Sequence, residues 1–167
     1  MYYISYRGLV NGQNEQTENT PNQIGKALGM GFGVMIDVWR ENNKLYLGSN
    51  VPTIEVSATY IQGRRFWINA RNSDMYTWLQ SQSSSLYPNY FQVILPLQPS
   101  YTTSSGYLWT YGETPASPTL SIMVIPESYD SACFSCVNLR AYGICSTLCP
   151  YIKRIRNEGL SVYGAFY

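Results

Sequence analysis

Eight short apolar runs, parted at fairly regular intervals by turn-rich polar stretches, set the tightest limit on what this chain can fold into. They lie at 2–6 (YYISY), 33–39 (GVMIDVW), 66–70 (FWINA), 90–95 (YFQVIL), 107–111 (YLWTY), 121–126 (SIMVIP), 141–145 (AYGIC) and 161–166 (SVYGAF). Several are apolar at consecutive positions rather than alternate ones. That pattern suits strands covered on both faces, as in a buried parallel sheet, better than a half-solvated meander. Residues 44–47 offer a short extra strand.

Helix signals fall between the early runs. Thr20-Pro21 pairs an N-cap with a proline at the first helical position and opens a helix to Met30. Residues 54–64 carry apolar side chains at near-helical spacing, 73–82 start with a capping Ser73, and 150–158 run from a proline to Gly159. The Gly29-Met30-Gly31-Phe32-Gly33 stretch follows a helix instead of opening one, so it reads as a helix-to-strand turn and not a phosphate loop. Strand and helix alternate up to about residue 95, which favours an α/β fold. Beyond it the connections are too short for full helices, and 98–106 and 112–118 read as loops. A complete (β/α)₈ barrel takes about 250 residues, about 200 at the least. The expectation for 167 residues is therefore one domain over 1–167. It is a shortened TIM-barrel-like fold of about eight short, mostly parallel strands, with several helices missing from its second half.

The side chains available for chemistry are restricted. The chain has no histidine, which excludes Ser-His-Asp and Cys-His nucleophilic systems, imidazole metal sites and any His acid or base. Charged residues make up 13% and nearly cancel at +1, so clustered positive charge for nucleic acid or an anionic membrane is lacking. Lys153-Arg154-Ile155-Arg156 is a small basic cluster that reads as one solvated helix face. Uncharged polar side chains and 16 tyrosines must then cover much of the surface, a composition that suits contact with other protein subunits. Met1-Tyr2-Tyr3-Ile4-Ser5 lacks the basic start of a secretory signal and no run is long enough to span a bilayer. The expected location is the cytoplasm or a particle assembled there.

Several segments together resemble the glycerophosphodiester phosphodiesterases, of the phospholipase-C-like phosphodiesterase superfamily. They are Ile4-Ser5-Tyr6-Arg7-Gly8, Glu18-Asn19-Thr20-Pro21, Ile36-Asp37-Val38-Trp39 and Lys44-Leu45-Tyr46-Leu47-Gly48-Ser49-Asn50. Later pieces, among them Trp67-Ile68-Asn69-Ala70-Arg71-Asn72, Gly106-Tyr107-Leu108-Trp109-Thr110-Tyr111 and Tyr142-Gly143-Ile144-Cys145-Ser146, are similar to a compact subset of that superfamily found in phages and large DNA viruses. The resemblance implies a TIM-type barrel. It also implies a site at which the family holds a divalent metal with carboxylates and moves protons with two histidines. Set on this pattern, the first histidine falls on Tyr6 and the second on Ser49. The Glu of the family's Glu-x-Asp falls on Met35, its Asp is kept as Asp37, and the next acidic ligand falls on Asn69. The following Lys becomes Arg71, while Arg7 and Glu18 remain. One metal-binding carboxylate and neither histidine survive.

The resemblance thus implies a vestigial site of Tyr6, Arg7, Glu18, Asp37, Ser49, Asn69 and Arg71. Its first reading is a non-catalytic structural or interaction protein of the kind found in viral or phage particles. The alternatives are a metal-dependent phosphodiesterase or lyase with rebuilt chemistry, and a module that binds a small phosphorylated ligand through Arg7 and Arg71. Asp37 reads first as a structural acid paired with Arg7 or Arg71, and Arg7 with Glu18 as a scaffold ion pair. Trp67 reads as core, with Trp39 and Trp109 open between core and pocket. Cys133, Cys136, Cys145 and Cys149 form C-x₂-C-x₈-C-x₃-C, for which structural zinc, packing thiols and disulfides all stand as readings.

Overall fold

The computed structural model describes residues 1–94, 98–111, 115–125 and 140–158. Its strands are β1 (Tyr2–Tyr6), β2 (Gly33–Glu41), β3 (Lys44–Leu47), β4 (Ile54–Val56), β5 (Phe66–Ala70), β6 (Tyr90–Phe91), β7 (Ser100–Thr102), β8 (Leu108–Tyr111), β9 (Ser121–Val124) and β10 (Gly143–Ser146). The helices are α1 (Pro21–Gly29), α2 (Ser73–Ser81) and α3 (Cys149–Glu158), with a 3₁₀ turn at Ala58–Ile61.

All ten strands belong to one curled sheet. A single path runs β4-β3-β2-β1-β10-β9-β8-β7, and β5 and β6 extend it from the side of β2. The expected mostly parallel sheet is in fact mixed. Parallel ladders join β6-β5-β2-β1-β10-β9-β8. The β3–β4 hairpin and β7 add antiparallel ladders. Strand β2 makes both kinds of pairing possible because it is long: Val34–Val38 lie beside β5 and Val38–Glu41 beside β3. Among the described residues no ladder closes β6 onto β7 or β8, so the sheet is a partial barrel.

Period-two alternation sorts the side chains between the two faces. Val34, Ile36 and Val38 of β2 and Phe66, Ile68 and Ala70 of β5 pack with Ile24 and Ala27 of α1 and Met75 and Leu79 of α2. The intervening Met35 and Trp67 face a second cluster with Ile4, Phe91, Trp109, Ile122, Val124 and Cys145 on the concave side. Both faces of the central strands are therefore buried, which accounts for apolar residues at consecutive positions along them.

Local signals explain the helices. The Thr20 side chain accepts a hydrogen bond from Gln23 N and Pro21 opens α1. Asn72, not Ser73, caps α2: its Oδ1 accepts from Met75 N at 3.0 Å and from Arg40 N at 3.3 Å, while its Nδ2 donates to Arg40 O. The near-helical spacing over 54–64 misleads. Ile54–Val56 form a strand against β3, and the 3₁₀ turn follows it. Two β-branched residues beside an available hairpin edge outweigh the periodicity. The stretch 98–106 is likewise not all loop, since Ser100–Thr102 pair with β8. The expected strand at 161–166 lies outside the described residues. No helix among the described residues is long and apolar enough to cross a membrane.

Candidate functional site

The C-terminal ends of β1, β2 and β5 converge on Asp37. Asp37 follows Met35 by two residues and is opposite Asn69 in the β2–β5 register, so both side chains point to the concave side. The carboxylate is fully buried. Arg7 Nε lies 2.7 Å from Asp37 Oδ2 and Arg71 Nε 3.9 Å from Oδ1. Asn69 Nδ2 donates to Oδ1 at 2.6 Å and Asn19 Nδ2 to Oδ2 at 3.3 Å, while Asp37 N donates to Asn19 Oδ1 at 3.0 Å. Both oxygens are engaged within the chain.

A second acid extends the network. Arg7 Nη1 donates to Glu18 Oε1 at 2.9 Å, and the Ser49 hydroxyl donates to the same oxygen. Asn19 Nδ2 also reaches Ser49 Oγ at 2.8 Å. Residues from five chain segments, 7, 18–19, 37, 49 and 69, thus form one hydrogen-bonded cluster.

Backbone geometry aims these groups. Arg7 and Gly8 leave β1 with φ of 54° and 80°, and Asn19 enters α1 with φ of 54°. Asn19 N donates to Arg7 O at 2.9 Å, which locks the two turns together. A Cβ on Gly8 would stand 2.8 Å from Ile24 N, so only glycine lets the turn lie against α1.

Burial pushes the Asp37 carboxyl up from its ordinary value, and Arg7, Arg71, Asn69 and Asn19 pull against that push. Burial on its own would lower Arg7, yet Asp37, Tyr6 and Glu18 hold it above its usual value. Tyr6 is raised well beyond the ordinary phenol by burial, so it is a weaker acid than a free tyrosine and stays a neutral phenol at neutral pH. Tyr111, at the same end of β8, is pushed up to about 12, again by burial first. Cys145 is raised well above a normal thiol by burial, with Cys149 adding to the effect.

The structure brings Tyr6, Arg7, Glu18, Asp37, Ser49, Asn69 and Arg71 to one end of the sheet. Arg7 stacks over Tyr6 at 4.9 Å and Arg71 over Trp39 at 5.6 Å. Trp39 Nε1 donates to Gly48 O at 2.7 Å, fixing the turn that carries Ser49. Trp67 and Trp109 are both core residues, 2% and 0% exposed. Sequence reasoning gives no role to Asn19, whose side chain makes two hydrogen bonds to Asp37 and one to Ser49. A non-glycine residue needed in the left-handed region favours Asn, but φ cannot be read from one sequence.

The divalent metal implied by the resemblance does not fit these donors. Met35 supplies no oxygen, and the Asp37 oxygens are already bound to a guanidinium and two amides. Glu18 is shared between Arg7 and Ser49. A cation would have to strip a buried arginine from its acid while gaining too little negative charge to replace hydration. Among the described residues no group of three or more His, Cys, Asp or Glu side chains is placed to hold a metal. Of the four cysteines, Cys133 and Cys136 lie outside the described residues. Cys145 and Cys149 are free and buried and pack in different clusters on opposite faces of the sheet. Cys149 Sγ instead approaches Ile4 O at 3.0 Å and Ser146 O at 3.2 Å, the behaviour of a packing thiol.

Comparison with known families, with curated proteins and with solved structures gives no match.

Proposed function

We propose that the chain is a non-catalytic binding or assembly protein, built on a shortened TIM-type barrel related to the phosphodiesterases. The observation that carries this reading is the engagement of Asp37 within the chain. Its two oxygens are held by Arg7, Asn19 and Asn69, so a metal would have to displace a guanidinium or an amide to reach either oxygen. Tyr6 and Ser49 stand where the family's two histidines would act, and neither is a neutral-pH base. The barrel relationship is supported by the parallel run β6-β5-β2-β1-β10-β9-β8, which follows the cyclic order of a barrel. The two free ends also approach each other. Ser104 N donates to Tyr90 O at 2.8 Å and Phe91 stacks on Trp109 at 4.6 Å. The low charge and abundant tyrosine support faces covered by neighbouring protein subunits, and the setting in a viral or phage particle rests on the resemblance alone.

A second reading has its own observation. Arg71 is 26% exposed along its side chain and lies over the Trp39 ring at 5.6 Å. A small phosphorylated ligand could be gripped there without being cleaved. The test has two arms. The purified chain is assayed with magnesium and calcium for cleavage of glycerophosphodiesters, and its mass in solution is measured by light scattering across a concentration series. The proposal expects no turnover and reversible association. Turnover that vanishes in Asp37→Ala would overturn it. Thermal shift on adding a phosphodiester, lost in Arg71→Ala, would favour the ligand-binding reading.

A further inference from the structure

A second concentration of reactive side chains lies at the opposite end of the sheet from Asp37. Tyr2 opens β1, Trp67 is the second residue of β5, and Tyr107 and Tyr142 immediately precede β8 and β10. Tyr2 N donates to Tyr142 O at 2.9 Å, which fixes the approach to β10. The Tyr107 and Tyr142 rings are 4.2 Å apart between centroids and only 30° from parallel. The neighbouring Tyr107 phenol, more than burial, pushes Tyr142 up to about 12. Other tyrosine pairs among the described residues are unlike this one. Tyr76–Tyr90 and Tyr101–Tyr111 meet edge to face at 5.8 and 6.2 Å, and Tyr2–Tyr142 stand 6.2 Å apart.

This arrangement has a chemistry of its own. A phenol oxidised by one electron becomes strongly acidic and also loses its proton. Spin in the resulting phenoxyl radical resides partly on the ring carbons beside the oxygen. Two such rings lying nearly face to face can join through those carbons. The interior supplies a route for oxidising equivalents as well. Trp109 lies 6.0 Å from Trp67, and Trp67 lies 5.7 Å from Tyr107, so a radical formed on a buried indole can pass to the partly exposed tyrosine pair.

We propose that Tyr107 and Tyr142 form a site of oxidative cross-linking within the chain, taking an external one-electron oxidant as co-reactant. Each phenol gives up one electron to the oxidant and one proton to water. A carbon–carbon bond then forms between the ring positions ortho to the two oxygens. The hydrogens on those two carbons shift as protons to the oxygens, restoring two phenols. The product is lighter by two hydrogen atoms, and two electrons have gone to the oxidant. The bond ties the entry of β8 to the entry of β10 across the intervening β9. This inference is independent of the function proposed above, since it uses none of the residues around Asp37.

The test uses the full chain at low concentration, with photo-generated ruthenium(III) tris-bipyridine as oxidant and persulfate as final electron acceptor. Each persulfate takes two electrons and becomes two sulfates. The expected product is a monomer two hydrogens lighter, with dityrosine fluorescence and a protease digest in which the peptides bearing Tyr107 and Tyr142 are joined. Tyr142→Phe should lose that joined peptide, and Tyr76→Phe should retain it. If Tyr142→Phe does not fold, the digest of the unaltered chain decides the matter alone. Cross-links confined to other tyrosines, links only between separate chains, or no joined peptide would each overturn the proposal.

Discussion

The two ends of the concave face are built from opposite materials. At the C-terminal end of the parallel strands, Arg7, Asn19, Asp37, Ser49 and Asn69 satisfy one another through directed bonds. At the other end, Trp67, Tyr107, Tyr142 and Tyr2 pack ring against ring. The aromatic end gains from area and dispersion, which tolerate small displacements. The polar end gains only if every partner is present, because a buried charge left alone costs more than the pair contributes. One end should yield gradually to substitution and the other abruptly.

Substitutions can break that comparison. The largest effect expected is on Trp109, the fully buried ring that links Phe91 to Trp67. Trp109→Ala should cost about 5 kcal/mol in urea unfolding, with little dependence on salt. Asp37→Ala should cost about 3 kcal/mol because it strands Arg7 and two amides. Combined with Arg7→Ala it should cost less than the two single losses together, by about 1–3 kcal/mol. Additive losses would show that the polar end is not a unit. Gly8→Ala forces a side chain into a left-handed turn pressed on α1 and should cost about 2 kcal/mol, measured the same way.

A pH series sharpens the comparison because raised phenols stand at both ends: Tyr6 and Tyr111 near Asp37, Tyr2 near Trp67. In the unfolded chain a tyrosine ionises near about pH 10. In the folded chain burial keeps these phenols protonated beyond that point. Their contribution is therefore complete below about pH 10 and is lost as the pH climbs through the raised values, because only the unfolded chain releases protons there. Stability should be flat towards neutral pH and decline steeply above about pH 10, with a gentler decline in Tyr6→Phe. The smallest expected effect is that of millimolar magnesium, which should leave the melting temperature unchanged. A clear rise would mean that a cation can displace Arg7 from Asp37.

Where the sequence carries local instructions, it was legible. Thr20-Pro21 marks the start of α1 and the run FWINA marks β5 to the residue. Over 54–64 the apolar spacing misleads because it cannot reveal that a hairpin edge is free to pair with Ile54–Val56. The end of β1 at Tyr6, the register that sets Asp37 beside Asn69, and the placing of Arg71 are consequences of strand order, which no local signal encodes. An acid inside an apolar strand does call for a cation, and the expected pairings of Asp37 with Arg7 and of Arg7 with Glu18 are present. That Asn19 would hold Asp37 depends on two left-handed turns and on the single hydrogen bond that joins them.

The cluster around Asp37 also bears on the order of events in time. Its members come from five separated stretches of chain, and each remains better served by water until the last one arrives. Apolar strands can associate loosely and adjust, whereas this knot can tie only when β1, β2 and β5 already stand in register. Its bonds should thus be absent from the rate-limiting barrier, so that Asn19→Ala or Ser49→Ala would hasten unfolding and leave the speed of refolding almost untouched. A mouth assembled in this way acts as a latch on the finished molecule rather than as a seed for making it.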